Sequence, residues 1–414
     1  MTETQPIAPI RRAAFAFIFV TVLLDMLAVG MVIPVLPKLV VDMVAGDAAF
    51  AAEVLGLFGT AWALMQFVFS PVQGALSDRF GRRPVILISN FGLGLDYILM
   101  ALAPTLAWLF VGRIVSGITA ASISTAYAYV ADVTGPDRRA ALFGMLGVAF
   151  GVGFVVGPAL GGIAGSFDPR LPFWIAAGLS LLNGVYGLLI LPESLPPERR
   201  SPFNWRLANP VGSLILLRSH PQLTGLAVVS FLGHLAHSSL PNIGVLYMMY
   251  RYSWSERAVG FAMAGVGLCS MIVQGGLIGP VVKHLGERKA MLLGLVFGVA
   301  GFAAFGLAAT GFWFLTGIPV LAMWGIASAA TLGLMSRHVG PSEQGQLQGA
   351  NASLMGIASL IGPAIFTQSF AVFIGAGAIV YLPGAPFLLA AIMVAASIAV
   401  AVYTMRETKD EKSA

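Results

Sequence analysis

Apolar runs of about 20 residues recur along almost the whole chain, each long enough to cross a hydrocarbon core about 30 Å thick. In that solvent every backbone N–H and C=O has to be satisfied internally, so a chain built of such runs folds as a bundle of helices. Composition agrees. Of 414 residues, 58% are hydrophobic and 10% charged, against about 45–50% and about 25% in soluble domains. The first run opens near Ala13 and continues to Leu36. That is longer than the ~7–15-residue core of a signal peptide, and no small-residue cleavage site follows, so a retained span is expected. The single cysteine, Cys269, excludes an intrachain disulfide framework.

Prolines, glycines and charged clusters divide the chain into twelve expected helices, near 13–36, 52–74, 84–103, 105–131, 140–164, 171–191, 222–249, 257–282, 289–309, 312–336, 345–370 and 377–404. With both ends inside the cell, the inner segments hold 18 of the 23 Lys and Arg. The outer segments hold four, Lys38, Arg170, Arg251 and Arg257, and Arg113 is left within a span. This asymmetry places both termini in the cytoplasm. It also accounts for the net charge of +5 as membrane orientation, with no nucleic-acid partner implied.

The longest polar stretch, "LPESLPPERRSPFNWRLANP" from 191 to 210, reads as a cytoplasmic linker. The expected organisation is therefore a six-helix half over 1–191, a linker over 192–221 and a second six-helix half over 222–414. An internal repeat supports it. Gly74 and Gly279, Gly135 and Gly340, Gly144 and Gly349, and the pairs Gly157-Pro158 and Gly362-Pro363 all stand 205 residues apart. The chain is expected to be an all-α integral membrane protein of twelve transmembrane helices in two parallel six-helix repeats, with a substrate cavity between the halves.

Helix rise converts position into depth. Asp25 lies 12 residues into the first span and Asp96 lies 12 past Pro84, each about 18 Å up from the inner face. Arg113 descends 8 residues from the outer side and His234 rises 12 past Gln222, about 12 Å and 18 Å respectively. Ionisable groups at mid-membrane are costly and point to function. Two readings are open for Asp25, Asp96 and Arg113: an ion pair that keeps helices in register, or a proton or ligand site. The second is favoured because buried ion pairs stabilise poorly against apolar replacements. A carboxylate's hold on its proton also changes when a guanidinium moves, which suits proton coupling. "GHLAH" puts His234 and His237 on one helical face. They are open to a core hydrogen-bonding role, a substrate or proton contact, or a metal site, for which no further ligands stand nearby.

"GALSDRFGRRP" joins the second and third spans, with glycines that permit a tight turn beside Asp78, Arg79, Arg82 and Arg83. It resembles the loop motif of the major facilitator transporters, and "GRIVSGITAA" around Arg113 resembles their fourth-span motif. "GFVVGPALGG" resembles the fifth-span pattern of their antiporters, carried here by Gly153, Gly157, Pro158, Gly161 and Gly162. Small residues every fourth position let helices approach closely. The segments "LLDMLAVGMVIPVLP", "LMQF", "LDYILMALAP", "YVADVT", "LPES", "HLGERKAMLLG" and "EQGQLQG" resemble, in order, those of the tetracycline-resistance efflux pumps.

The resemblance implies functional importance for Asp25, Asp96 and Arg113, and a cytoplasmic gate of Asp78, Arg82 and Asp132, to which Arg79 is joined. It also implies cavity positions at Gln66 and Gln274, with His234 and His237 added. The chain departs from the best-known members in spans nine and eight, where Gly298 and Ser270 stand near the places of an aspartate and a histidine. No Gly-Lys dipeptide occurs, so a nucleotide-binding loop is excluded, and no H-E-x-x-H or G-x-S-x-G supports an enzyme. The resemblance thus implies a non-enzymatic antiporter of the bacterial inner membrane that exports an amphipathic drug in exchange for protons. Tetracyclines are the first candidates; the same scaffold would serve export of another drug or metabolite, or nutrient or siderophore uptake, and a non-transporting sensor would need a soluble domain. No cofactor is expected beyond the proton gradient, although a substrate could arrive as a metal chelate. The expected partners are a small-molecule drug, protons and the lipid bilayer, with the chain acting as a monomer.

Overall fold

The computed structural model describes residues 9–120, 122–201, 209, 211–219, 221–340 and 343–410. Those residues form helices and turns, with no strand among them. The helices are α1 (Pro9–Val32), α2 (Leu36–Met43), α3 (Ala48–Phe80), α4 (Arg82–Leu102), α5 (Leu106–Thr119), α6 (Ser122–Val133), α7 (Pro136–Gly165) and α8 (Leu171–Ile190). After the linker come α9 (Ile215–Ser219), α10 (Pro221–His237), α11 (Ser239–Tyr252), α12 (Glu256–Ile272), α13 (Ile278–Leu307), α14 (Gly311–Ala322), α15 (Gly325–Ser336), α16 (Gln344–Ile374) and α17 (Ala385–Asp410). A π-helical segment, Val273–Leu277, joins α12 to α13.

Eleven stretches of the described residues are long and apolar enough to cross a membrane. One of them, Glu256–Leu307, is 52 residues long, about 78 Å of helix at ~1.5 Å per residue and more than two crossings of a ~30 Å core. Gly286, at φ 74° and ψ 159°, breaks it in two, which gives twelve crossings. The final span differs from the sequence expectation: it begins at Ala385 rather than near residue 377. Gly375, Gly377, Pro383 and Gly384 deny that segment a helix, and Ile379 and Tyr381 stand exposed in it. Most of the linker's central residues, 202–208, lie outside the described set.

The chain groups into two compact units. One holds the chain up to Leu36 with Leu64–Asn209; the other holds Pro37–Ala63 with the chain from Pro210 onward. The start of α3 is therefore packed with the second unit, where Gly56 lies against Thr367 and Gly59 against Pro363. Asp47 starts this helix as an N-cap, its Oδ1 accepting from the Ala49 and Phe50 amides, both at 3.0 Å.

In the first unit, α7 seats on α1 through glycines. Gly157 lies on Gly30, Gly153 on Met26 and Gly161 on the Met31 backbone, with Pro158 also against Gly30. Gly162, on the same turn, is buried and its carbonyl accepts the Ser166 amide at 3.1 Å. Below this contact Phe17, Ile18 and Val22 of α1 pack with Tyr129 and Leu146. Arg170 closes the far end of α4, donating to the Ala101 and Ala103 carbonyls at 3.0 and 2.9 Å, a cationic cap at a helix C-terminus. The second unit has an aromatic knot centred on buried Tyr247, whose ring meets Tyr252, Phe314, Phe370 and Phe387. Its hydroxyl donates to the Phe305 carbonyl at 3.0 Å.

Candidate functional site

In the first unit four helices, α1, α4, α5 and α8, bring polar groups into the apolar interior. Asp25 of α1 is 3% exposed and Asp96 of α4 is 1% exposed. Asn183 of α8 donates through Nδ2 to Asp25 Oδ1 at 3.1 Å and to the Thr21 carbonyl at 3.2 Å. Neither oxygen of Asp96 has a hydrogen-bond partner among the described residues. Its Oδ1 stands over Gly112, where an added Cβ would lie 2.9 Å away, and Arg113 is the next residue of α5. Asp96 and Arg113 act on each other's charge, and Tyr97 lies in the field of Asp25, Asp96 and Arg113 together. Asp96 and Arg113 thus face each other, and Asp25 lies buried in the same unit, held by Asn183. Asn183 is a further member that the sequence reading missed; the signal was there, a lone amide inside "LSLLNGVYG".

At one end of the same unit a polar corner forms around Arg82. Its Nε donates to Asp132 Oδ2 at 3.0 Å, and its Nη1 to Ser77 Oγ and Asp78 Oδ1, both at 2.5 Å. Gly81, at φ 106°, makes the turn that only glycine adopts readily. A side chain there would also run into Glu193. Glu193 caps α4: its Oε1 accepts the Arg82 amide at 2.9 Å and its Oε2 the Arg83 amide at 3.3 Å, placing an anion at a helix N-terminus. Ser194 adds a bond to Asp132 Oδ2 at 3.1 Å. Asp78, Arg82 and Asp132 therefore meet as expected. Arg79 does not join them; it is exposed and lies over the Phe80 ring at 5.1 Å. Glu193 is the residue missed, since 111 positions separate it from Arg82.

The second unit encloses a cavity of about 520 Å³ lined by His234, His237, Gln274, Ser270, Asn351 and Trp324, with Leu295, Phe305 and Leu321 among its apolar walls. Three expected cavity residues thus share one space. Gln66, the fourth, is part-exposed on α3 in the first unit and is not a lining residue of this cavity. Gln274 projects from the π segment, a helix defect often found at functional sites. Asn351, missed from sequence, organises the polar wall: its Oδ1 accepts from Ser230 Oγ at 2.8 Å and lies 3.4 Å from His234 Nε2. His237 is exposed on the cavity side and its ring lies 5.8 Å from that of Trp324. No group of three or more His, Cys, Asp or Glu gathers as metal ligands among the described residues.

The Major Facilitator Superfamily model matches residues 18–363. The chain belongs to the Major Facilitator Superfamily. Among curated relatives, the class C tetracycline resistance protein of Escherichia coli is 39% identical, covering 86% of this chain and 90% of that protein. The class H protein of Pasteurella multocida is 31% identical over 96% of this chain and 97% of its own length. Among solved structures, the human organic anion transporter MFSD10 is 25% identical with a TM-score of 0.69, covering 96% of this chain and all of that one. An inward-facing bacterial homolog of the human lysosomal transporter Spinster aligns at a TM-score of 0.79 and 15% identity over 96% and 97% of the two chains, a likeness of fold.

This facilitator is a multi-pass membrane transporter, not an enzyme. Its departure at Gly298 has a steric reason. Trp324 lies against that glycine, and a Cβ built there would stand 2.7 Å from the indole Cδ1. The indole, stacked edge-on with Phe302 at 5.2 Å, occupies the room a carboxylate would need. Ser270, the second departure, lines the cavity.

Proposed function

We propose that this facilitator is a proton-coupled efflux antiporter of the bacterial inner membrane, exporting an amphipathic drug, with tetracycline-type compounds the first candidates. Both termini lie in the cytoplasm in this reading, in line with the distribution of Lys and Arg, and the chain acts as a monomer. Protons and the drug are its partners; any metal comes with the cargo.

The observation that carries the reading is the buried Asp96 beside Arg113, with Asp25 buried in the same unit, in a chain similar over 86% of its length to a tetracycline resistance protein. A buried acid without hydrogen-bond donors and beside a guanidinium has a charge state that depends on where that guanidinium sits. A conformational change that moves Arg113 relative to Asp96 would therefore load or release a proton. The cavity, with apolar walls and a few convergent amides, imidazoles and hydroxyls, suits a planar, partly polar molecule better than an ion or a small sugar.

A second reading, export of an organic anion or metabolite, is favoured by the likeness to a human organic anion transporter and by the imidazoles and amides on the cavity wall. Inverted vesicles test both. Acidifying the lumen should drive accumulation of tetracycline, and collapsing the gradient should abolish it; accumulation of an anionic dye in place of tetracycline would select the second reading. Gradient-driven loading of a nutrient into right-side-out vesicles, with no drug accumulated by inverted ones, would overturn export.

A further inference from the structure

The 205-residue offset carries the Arg82 corner onto charged residues of the second unit. Gly81 maps onto Gly286, and both take the left-handed turn, at φ 106° and 74°. Arg82 maps onto Glu287, Asp132 onto Arg337 and Asp78 onto Lys283. Every sign is reversed, and the central pair survives the reversal. Arg82 Nε meets Asp132 Oδ2 at 3.0 Å, and Arg337 Nη2 meets Glu287 Oε1 at 2.8 Å.

A side-chain-to-carbonyl bond repeats beside it. Arg139 donates to the Ala131 carbonyl at 3.0 Å and Gln344 to the Ser336 carbonyl at 2.9 Å, and both donors and both acceptors stand 205 apart. A donor at the start of one span thus fastens the end of the preceding span in each unit. The two corners are one structure built twice with opposite charge.

They differ in how far they are complete. Arg82 engages Ser77, Asp78 and Asp132 at once. Glu287 has one partner, and its Oε2 is buried with no hydrogen bond from the described residues. A buried carboxylate oxygen without a donor is costly to leave so. The first unit shows where its partner comes from: Asp78 reaches Arg82 across the glycine turn, four residues on. The residue at that place in the second unit is Lys283, which is exposed.

We infer that Lys283, Glu287 and Arg337, the sign-inverted counterpart of the Arg82 corner, form a latch in the transport cycle, half-made here and completed when Lys283 closes on Glu287. The inference rests on the transporter reading and is independent of which compound is carried. In it, these are positioning residues that stabilise one state of the cycle. What matters is that the three charges complement one another, whichever sign each bears.

The test uses the full-length protein in lipid nanodiscs and in inverted vesicles. Amide hydrogen exchange over residues 283–290 is compared in wild type, K283Q, E287Q, R337Q, the single reversal K283E and the triple inversion K283E/E287R/R337E. K283Q and R337Q should each exchange at least threefold faster than wild type, and E287Q faster than either. The triple inversion should return to within twofold of wild type. In vesicles, K283Q should lower the maximal rate of tetracycline uptake at least fivefold while the half-saturating concentration stays the same. K283Q is the safest arm, since its side chain is on the surface. Wild-type exchange in K283Q, or a triple inversion no better than K283E alone, overturns the latch. Failure of the wild type to accumulate tetracycline would count against the drug reading alone, and the exchange data would still decide the latch.

Discussion

Replacing glycines along α7 by alanine should separate close packing from helix propensity. At Gly157 an added Cβ would stand 2.9 Å from Gly30 Cα and 3.0 Å from the Leu27 carbonyl oxygen. Ordinary contact begins at 3.4 Å, and both neighbours are backbone, so no side-chain rotation relieves the overlap and α1 and α7 must part by about 0.5 Å. A gap of about 0.5–1 Å forfeits roughly a quarter to a half of each dispersion contact across the seam. Overpacking of this kind costs about 1–3 kcal/mol. Gly147, on the same helix, has nothing within 4 Å of its built Cβ. There alanine brings only the propensity gain of about 0.8–1 kcal/mol over glycine. That gain is common to both substitutions and cancels in their difference, so Gly157→Ala should be about 1–3 kcal/mol less stable than Gly147→Ala. Gly161→Ala, which runs into the Met31 backbone, should be at least as severe. Unfolding of the purified protein in mixed micelles by increasing denaturing detergent measures the order. Equal stability of Gly147→Ala and Gly157→Ala would refute the close-packing argument.

Further outcomes follow from the other centres. Asp25→Asn and Asp96→Asn remove the titratable group at nearly constant shape; each should leave expression intact and abolish gradient-driven accumulation in inverted vesicles, and wild-type accumulation by both would eliminate the proposed proton route. Glu193→Ala strips the cap from α4 and should cost about 1–2 kcal/mol, read as a lower unfolding midpoint and faster amide exchange at Arg82 and Arg83; unchanged exchange there would show the cap to be dispensable. Gly298→Asp should destabilise the protein because Trp324 fills the space, and Gly298→Asp with Trp324→Ala should recover most of the loss; a stable single variant would remove the steric explanation.

How much of this was legible in the sequence depends on the range of the interaction. Spans appear as local hydropathy, so the membrane fold and the position of most helices could be read directly; the 205-residue repeat pointed to two halves, but not to the grouping of Pro37–Ala63 with the second unit. Asp78 and Arg82 are four residues apart, and their association with a turn glycine is local chemistry. Asn183 and Asn351 act through partners 158 and 121 residues away. No periodicity encodes such distances, only the cost of an amide in an apolar span.

The same repeat hides its charged pairs from a letter-by-letter comparison. Matching glycines were visible as identical letters at one offset, whereas Arg82 and Glu287, or Asp132 and Arg337, look like mismatches. Coulomb's law is indifferent to exchanging both signs of a pair, so an ion pair can be inherited through duplication while every residue in it changes. Identity scoring discards this kind of conservation of interaction. Glycine geometry retains it, because a left-handed turn at positions 81 and 286 demands the same residue twice. The turn marks the corner, and the charges beside it have to be compared as products of signs and not as letters.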